Sequence, residues 1–123
     1  MESQLNEIAI NGVTYVPKGS EEKVSSLDGK EYCIVRTYSA GVFAGYYDRS
    51  IKGEEGTVYK ARRIYYWDGA ATLSQLSIDG TSKPSNCKFP EEVEEVDLKN
   101  IIEVLPCTKK AEESIKKVKI WKE

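Results

Sequence analysis

The chain contains only four arginines, and all of them, Arg36, Arg49, Arg62 and Arg63, fall in its first half. A guanidinium group presents a planar fork of donors that matches the paired oxygens of phosphate and carboxylate. Three of the four stand among aromatic residues. Arg36 lies between Tyr32 and Tyr38, the adjacent Arg62 and Arg63 run into Tyr65, Tyr66 and Trp67, and Phe43 lies in the apolar run between them. A stacking ring beside a guanidinium suits both the base and the phosphate of a nucleotide. The ordinary alternative is that the rings are core residues and the arginines pair with acids such as Glu31 or Asp48, or lie along an exposed face.

Most catalytic chemistry has no carrier here. The sequence has no histidine, which removes Ser-His and Cys-His nucleophile activation, the commonest general base and most zinc and iron sites. Cys33, Cys87 and Cys107 are odd in number, far apart and without a Cys-x-x-Cys pair, so they read as free thiols rather than a redox or metal motif. The acidic run Glu91, Glu92, Glu94, Glu95 and Asp97 has no spacing of a carboxylate metal site and reads, like the six lysines between Lys109 and Lys122, as a solvated face. No cofactor or metal is expected, and a binding protein fits better than an enzyme. With 18 bases against 20 acids, a net charge of −2 argues against a long nucleic acid as partner but leaves room for a small anion at a local cationic site.

The elements that must position these residues follow from periodicity. A chain of 123 residues suits one compact α+β domain, read here as an antiparallel β-meander or small barrel-like sheet with an N-terminal β-hairpin and two short helices. Residues 1–30 read as a hairpin arm turning at Asn11 and Gly12, followed by a polar connector, and residues 31–123 as the body. Strands are expected at Glu31 to Tyr38, Val42 to Tyr47 and Thr57 to Trp67, with Ser39, Ala40 and Gly41 as a small-residue turn and Gly41 and Gly45 marking close backbone approach. Adjacent Arg62 and Arg63 must then point to opposite faces. A short helix over Ala70 to Ile78 closes at Gly80, and Thr81 to Pro90 forms a loop. A strand follows at Val96 to Leu105, sending Leu98, Ile101, Ile102, Val104 and Leu105 inward. The last helix starts with Thr108 as N-cap and carries Ala111, Ile115 and Val118 on one face.

The blocks Tyr32 to Gly45, Ala61 to Ala70 and Asn86 to Phe89 resemble a family of small bacteriophage and prophage proteins. They are also similar to the phage Thoeris anti-defence sponge family, in which a strand ends in Gly-Val-Phe-x-Gly, a second ends in Tyr-Trp, and a late loop carries a cysteine. That resemblance implies a β-rich subunit assembled into dimers or hexamers. Such a subunit would bind cyclic ADP-ribose isomers made by bacterial immune TIR enzymes, or cyclic oligonucleotides at separate sites, without cleaving them. Carried over to this chain, Arg36 and Arg62 or Arg63 would meet phosphates, and Phe43, Tyr66 or Trp67 would stack. The small turn at Ser39 and the late block with Asn86 and Lys88 complete the candidate set. No arginine follows Arg63, so late cationic contacts would fall to Lys88, Lys109 or Lys116.

The expected function is sequestration of a small cyclic nucleotide signal in the host cytoplasm. The polar, acidic start from Met1 to Asn6 is unlike a signal peptide, and no apolar run approaches the roughly 20 residues of a membrane span. Two alternatives use the same residues. One is a protein-interaction module that inhibits a host protein; the other is a single-stranded nucleic-acid binder.

Overall fold

The computed structural model describes residues 26–27 and 29–123. The hairpin arm expected around Asn11 and Gly12 lies outside the described residues. Six strands and two helices follow in the order β1 (Ser26–Leu27), β2 (Lys30–Thr37), β3 (Val42–Tyr47), β4 (Gly56–Arg63), α1 (Leu73–Asp79), β5 (Val93–Leu98), β6 (Ile101–Pro106) and α2 (Lys109–Lys117). The α+β reading holds. The end of the expected connector is already part of the sheet, since Ser26 and Leu27 pair with Glu31 and Lys30.

Every ladder is antiparallel, running β2 to β3 to β4 to β5, with β6 returning to the free edge of β2. Because β5 and β6 end the ladder at opposite sides yet are joined through Lys99 and Asn100 alone, the sheet must curl on itself into a barrel-like wrap. The expected single strand over Val96 to Leu105 is therefore corrected to two strands. The turn falls at Asn100, which sits at φ +56°, a conformation asparagine tolerates better than most side chains. The turn also shifts the inward alternation. Ile101 is buried while Ile102 is 51 % exposed rather than in the core.

The central strand β2 is covered on both faces. Cys33 and Val35 join Phe43, Tyr47, Val58, Ala61, Leu98 and Ile101 inside the barrel. Tyr32 and Ile34 face a second cluster built with Leu76, Phe89, Ala111, Ile115 and Val118 beneath the two helices. Gly45 lies where the β3–β4 register shifts, and a Cβ there would meet Val58 Cγ1 at 2.6 Å and the Tyr59 carbonyl at 2.7 Å.

The helices begin and end on local signals. In α1 the Thr72 hydroxyl accepts from the Gln75 amide at 3.1 Å, and Gly80 stops the helix at φ +76°. In α2 Thr108 accepts from the Ala111 amide at 3.0 Å and donates to the Ile78 carbonyl at 2.6 Å, so one cap residue fixes the two helices together. The face carrying Ala111, Ile115 and Val118 is buried against the sheet, each larger apolar side chain being worth roughly 1.5–3 kcal/mol. Among the described residues no helix is long and apolar enough to cross a membrane.

Candidate functional site

The expected site residues fall into three separate groups. Arg62 and Arg63 leave β4 on opposite faces, because Arg62 pairs with Ala44 of the helical core and Arg63 with Phe43 of the barrel core. Arg62 is 5 % exposed, and its guanidinium donates to four carbonyls: Pro90 at 2.8 Å, Phe89 at 3.0 Å, Ile115 at 2.8 Å and Val118 at 2.6 Å. Two of these acceptors lie at the C-terminal end of α2, where the helix dipole is negative; the Ile115 carbonyl also accepts from the Val118 amide at 3.2 Å. Burial pulls the Arg62 pKa below its usual value, against the opposing pull of Tyr32 and Glu92. Arg62 is thus a structural cap that ties the tail and the Phe89 segment to the sheet, with its donors already engaged.

The second group sits around the β2–β3 turn. Arg63 is exposed, lies over the Phe43 ring at 4.5 Å and donates to the Ala40 carbonyl at 2.6 Å. Phe43 itself is 2 % exposed, so the arginine covers its face. Arg36 projects on the other side of the sheet with Val42, and it pairs with Glu103 at 2.8 Å rather than with Glu31 or Asp48. Glu31 is taken by Arg49 at 3.2 Å. Ser39 is an exposed residue of the bend.

The third group brings late residues to the end of β4. Beyond Arg63 the expected long strand leaves its ladder, and Tyr66 forms an isolated bridge with Lys88. Trp67 is half-buried and donates from its indole N–H to the Ala70 carbonyl at 3.1 Å. Asn86 donates to Asp68 at 3.0 Å, and that bond together with the Gly69 amide holds the Asp68 carboxyl below its ordinary range. Lys88 is exposed, with its ammonium 5.5 Å from the centre of the Trp121 ring.

Trp121 was not among the residues singled out in the sequence, and it organises this region. Its ring stacks on Tyr65 at 5.1 Å with an angle of 11° between planes, and its amide donates to the Phe89 carbonyl at 3.0 Å. Beside it lies an open cleft of about 510 Å³, with Pro84, Ser85 and Cys87 on one side and Lys117, Lys119, Ile120 and Trp121 on the other. Among the described residues Lys88, Lys117 and Lys119 have no carboxylate within ion-pairing distance, whereas Lys60, Lys99, Lys110 and Lys116 do. The cleft therefore gathers uncompensated positive charge against an aromatic wall. The sequence did offer a faint signal: Lys117, Lys119 and Trp121 alternate with Val118 and Ile120 from the last residue of the helix onward, a period-2 pattern.

The other two lysines considered as late contacts are engaged elsewhere. Lys116 bonds Glu112 at 2.7 Å and the Tyr46 hydroxyl at 2.8 Å; burial pulls its pKa down, but those hydrogen bonds outweigh it and the net shift is upward. Lys109 lies 4.0 Å from Glu113. Cys33, Cys87 and Cys107 are free and buried, and burial pushes the Cys33 and Cys107 thiols up to about 12. No group of metal-ligating side chains is formed among the described residues.

Residues 30–115 match the model of a family described as a domain of unknown function, DUF6948. No curated protein and no solved structure matches the chain.

Proposed function

The chain belongs to the DUF6948 family, and we propose that it is a binding protein that sequesters a small cyclic nucleotide without cleaving it, as an anti-defence sponge of a phage would. The observation that carries this reading is the cleft in which Lys117 and Lys119 meet the ring of Trp121, itself backed by Tyr65 and approached by the Lys88 ammonium. Ammonium groups supply contacts to phosphate, and an aromatic wall supplies stacking to a base; a cleft of about 510 Å³ is within the range used for small-molecule ligands. The sequence's lack of histidine supports binding without turnover.

Magnitudes add self-association to the proposal. Stacking contributes roughly 1–3 kcal/mol, and hydrogen bonds to charged groups roughly 1.5–3 kcal/mol each. Two lysines and one ring thus supply roughly 4–9 kcal/mol, before the cost of immobilising the ligand. A sponge working at nanomolar affinity needs about 12 kcal/mol. The open cleft of one subunit falls short, so a second copy is proposed to cover it and exclude water.

The test is depletion followed by release. The protein is mixed with cyclic di-adenosine monophosphate, and separately with a cyclic ADP-ribose isomer, and the free compound is measured before and after heat denaturation. Depletion of one of them and its intact return on heating is the expected result. Recovery of a cleaved product, or no depletion of either, contradicts the reading.

A further inference from the structure

The two walls of the cleft differ in how they are attached. Pro84, Ser85 and Cys87 sit on or cap the short 3-10 turn that precedes Phe89, within the stretch matching the family model, whereas Lys117, the last residue of α2, and Lys119 and Trp121 of the tail that follows it lie beyond that stretch. The tail is seated by three contacts. Arg62 holds the Val118 carbonyl at 2.6 Å, Ile120 forms a parallel bridge with Phe89, and the Trp121 ring lies on Tyr65 at 5.1 Å. Tyr65 is 64 % exposed, so its ring serves no core and has Trp121 as its ring partner. An exposed Tyr65 ring stacked on a half-buried Trp121 at a cationic cleft is more ring surface than seating the tail requires, because the backbone bridge at Phe89 already fixes the chain path.

From this we infer that the segment from Lys117 to Trp121 sets which anion the cleft accepts. Trp121 stacks on a planar base, Lys117 and Lys119 meet the phosphates, and Tyr65 is a positioning residue that holds the Trp121 ring in the wall. The inference rests on the cleft being the ligand site, as proposed above. It makes the preferred ligand a phosphate that carries a ring, and it separates ring recognition from charge recognition along one short segment. Lys88 lies near the same ring, outside the cleft lining and within the family-matched stretch.

The experiment compares two probes, cyclic di-adenosine monophosphate, which has bases, and inorganic pyrophosphate, which has none, on the full chain. Substituting Trp121→Ala is expected to weaken the cyclic dinucleotide by roughly tenfold, the loss of one stacked base, and to leave pyrophosphate unchanged. Lys117→Gln with Lys119→Gln weakens both probes. Labelling with 5-fluorotryptophan gives a resonance for each of the 2 tryptophans, with Trp121 assigned by its loss in the Trp121→Ala protein. The Trp121 resonance is expected to move when the cyclic dinucleotide is added. In Tyr65→Ala it moves even without ligand and the cyclic dinucleotide weakens, while Tyr65→Phe restores both. If Trp121→Ala leaves the cyclic dinucleotide unchanged, or weakens pyrophosphate to the same degree, the inference is overturned while the cleft reading stands. If the unaltered protein binds neither probe the inference is overturned, and if it also fails to bind a cyclic ADP-ribose isomer the cleft reading falls with it.

Discussion

Replacing Arg62 separates its structural role from a ligand-binding one. Its guanidinium donates to the carbonyls of Phe89, Pro90, Ile115 and Val118 at 2.6–3.0 Å in a site with 5 % exposure. Each bond to a charged donor contributes roughly 1.5–3 kcal/mol, but the gain is offset by the cost of taking the charge out of water. Truncation leaves the Pro90 and Val118 carbonyls without this donor, while the Phe89 and Ile115 carbonyls keep the amides of Trp121 and Val118; two orphaned acceptors at roughly 1–3 kcal/mol each, with the lost packing of the side chain, amount to roughly 3–5 kcal/mol. Arg62→Ala should therefore lower the melting temperature by roughly 12–20 °C, taking about 4 °C per kcal/mol for a domain of this size. Urea titration followed by far-ultraviolet circular dichroism should show a lower midpoint with the slope preserved. Arg62→Lys should fall between, since an ammonium has three donors and no fork with which to reach four carbonyls. The control is Arg63→Ala, which removes one exposed hydrogen bond and the stack over Phe43 and should cost about 1 kcal/mol or less. A stability loss below about 1 kcal/mol for Arg62→Ala, or one no larger than that of Arg63→Ala, would refute the assignment of Arg62 as a cap.

Two further predictions concern the core. Cys33 and Cys107 are held at about 12, above their ordinary value of 9.0, so unfolding releases their protons more readily. Their contribution to stability is complete below about pH 9 and is lost as pH rises from there toward 12. The guanidinium midpoint should accordingly fall as pH is raised above about 9, and a flat or rising profile there contradicts the burial argument. Gly45→Ala should cost roughly 1–3 kcal/mol, because the added carbon meets the Tyr59 carbonyl at 2.7 Å and a backbone atom cannot rotate away. A melting temperature equal to that of the unaltered protein would show that the β3–β4 bulge relaxes.

The sheet was legible because β2 carries apolar residues on both faces and its neighbours are bounded by glycine turns. Helix α2 was legible from Thr108 and the Ala111, Ile115 and Val118 stripe. The turn at Lys99 and Asn100 was hidden because hydrophobic residues continue on both sides of it, and only the left-handed asparagine breaks the run. The arginine pair was legible as two opposed side chains, but its chemistry was not. The carbonyls that engage Arg62 come from Phe89, Pro90, Ile115 and Val118, and backbone acceptors at such separations leave no mark in side-chain identity. The cleft was hidden for a related reason. It joins Tyr65, the Pro84 turn and the tail through the parallel bridge between Phe89 and Ile120, a single long-range pairing that no local pattern announces.

Titration calorimetry of a cyclic nucleotide into the unaltered protein and into Lys117→Gln/Lys119→Gln tests the central claim most directly. The account predicts saturable binding of cyclic di-adenosine monophosphate or a cyclic ADP-ribose isomer, weakened by about 100-fold in the double variant, near the loss of two charge-assisted contacts, with an unchanged melting temperature. Equal affinity in the two proteins, or no saturable heat with any of these compounds, would contradict it.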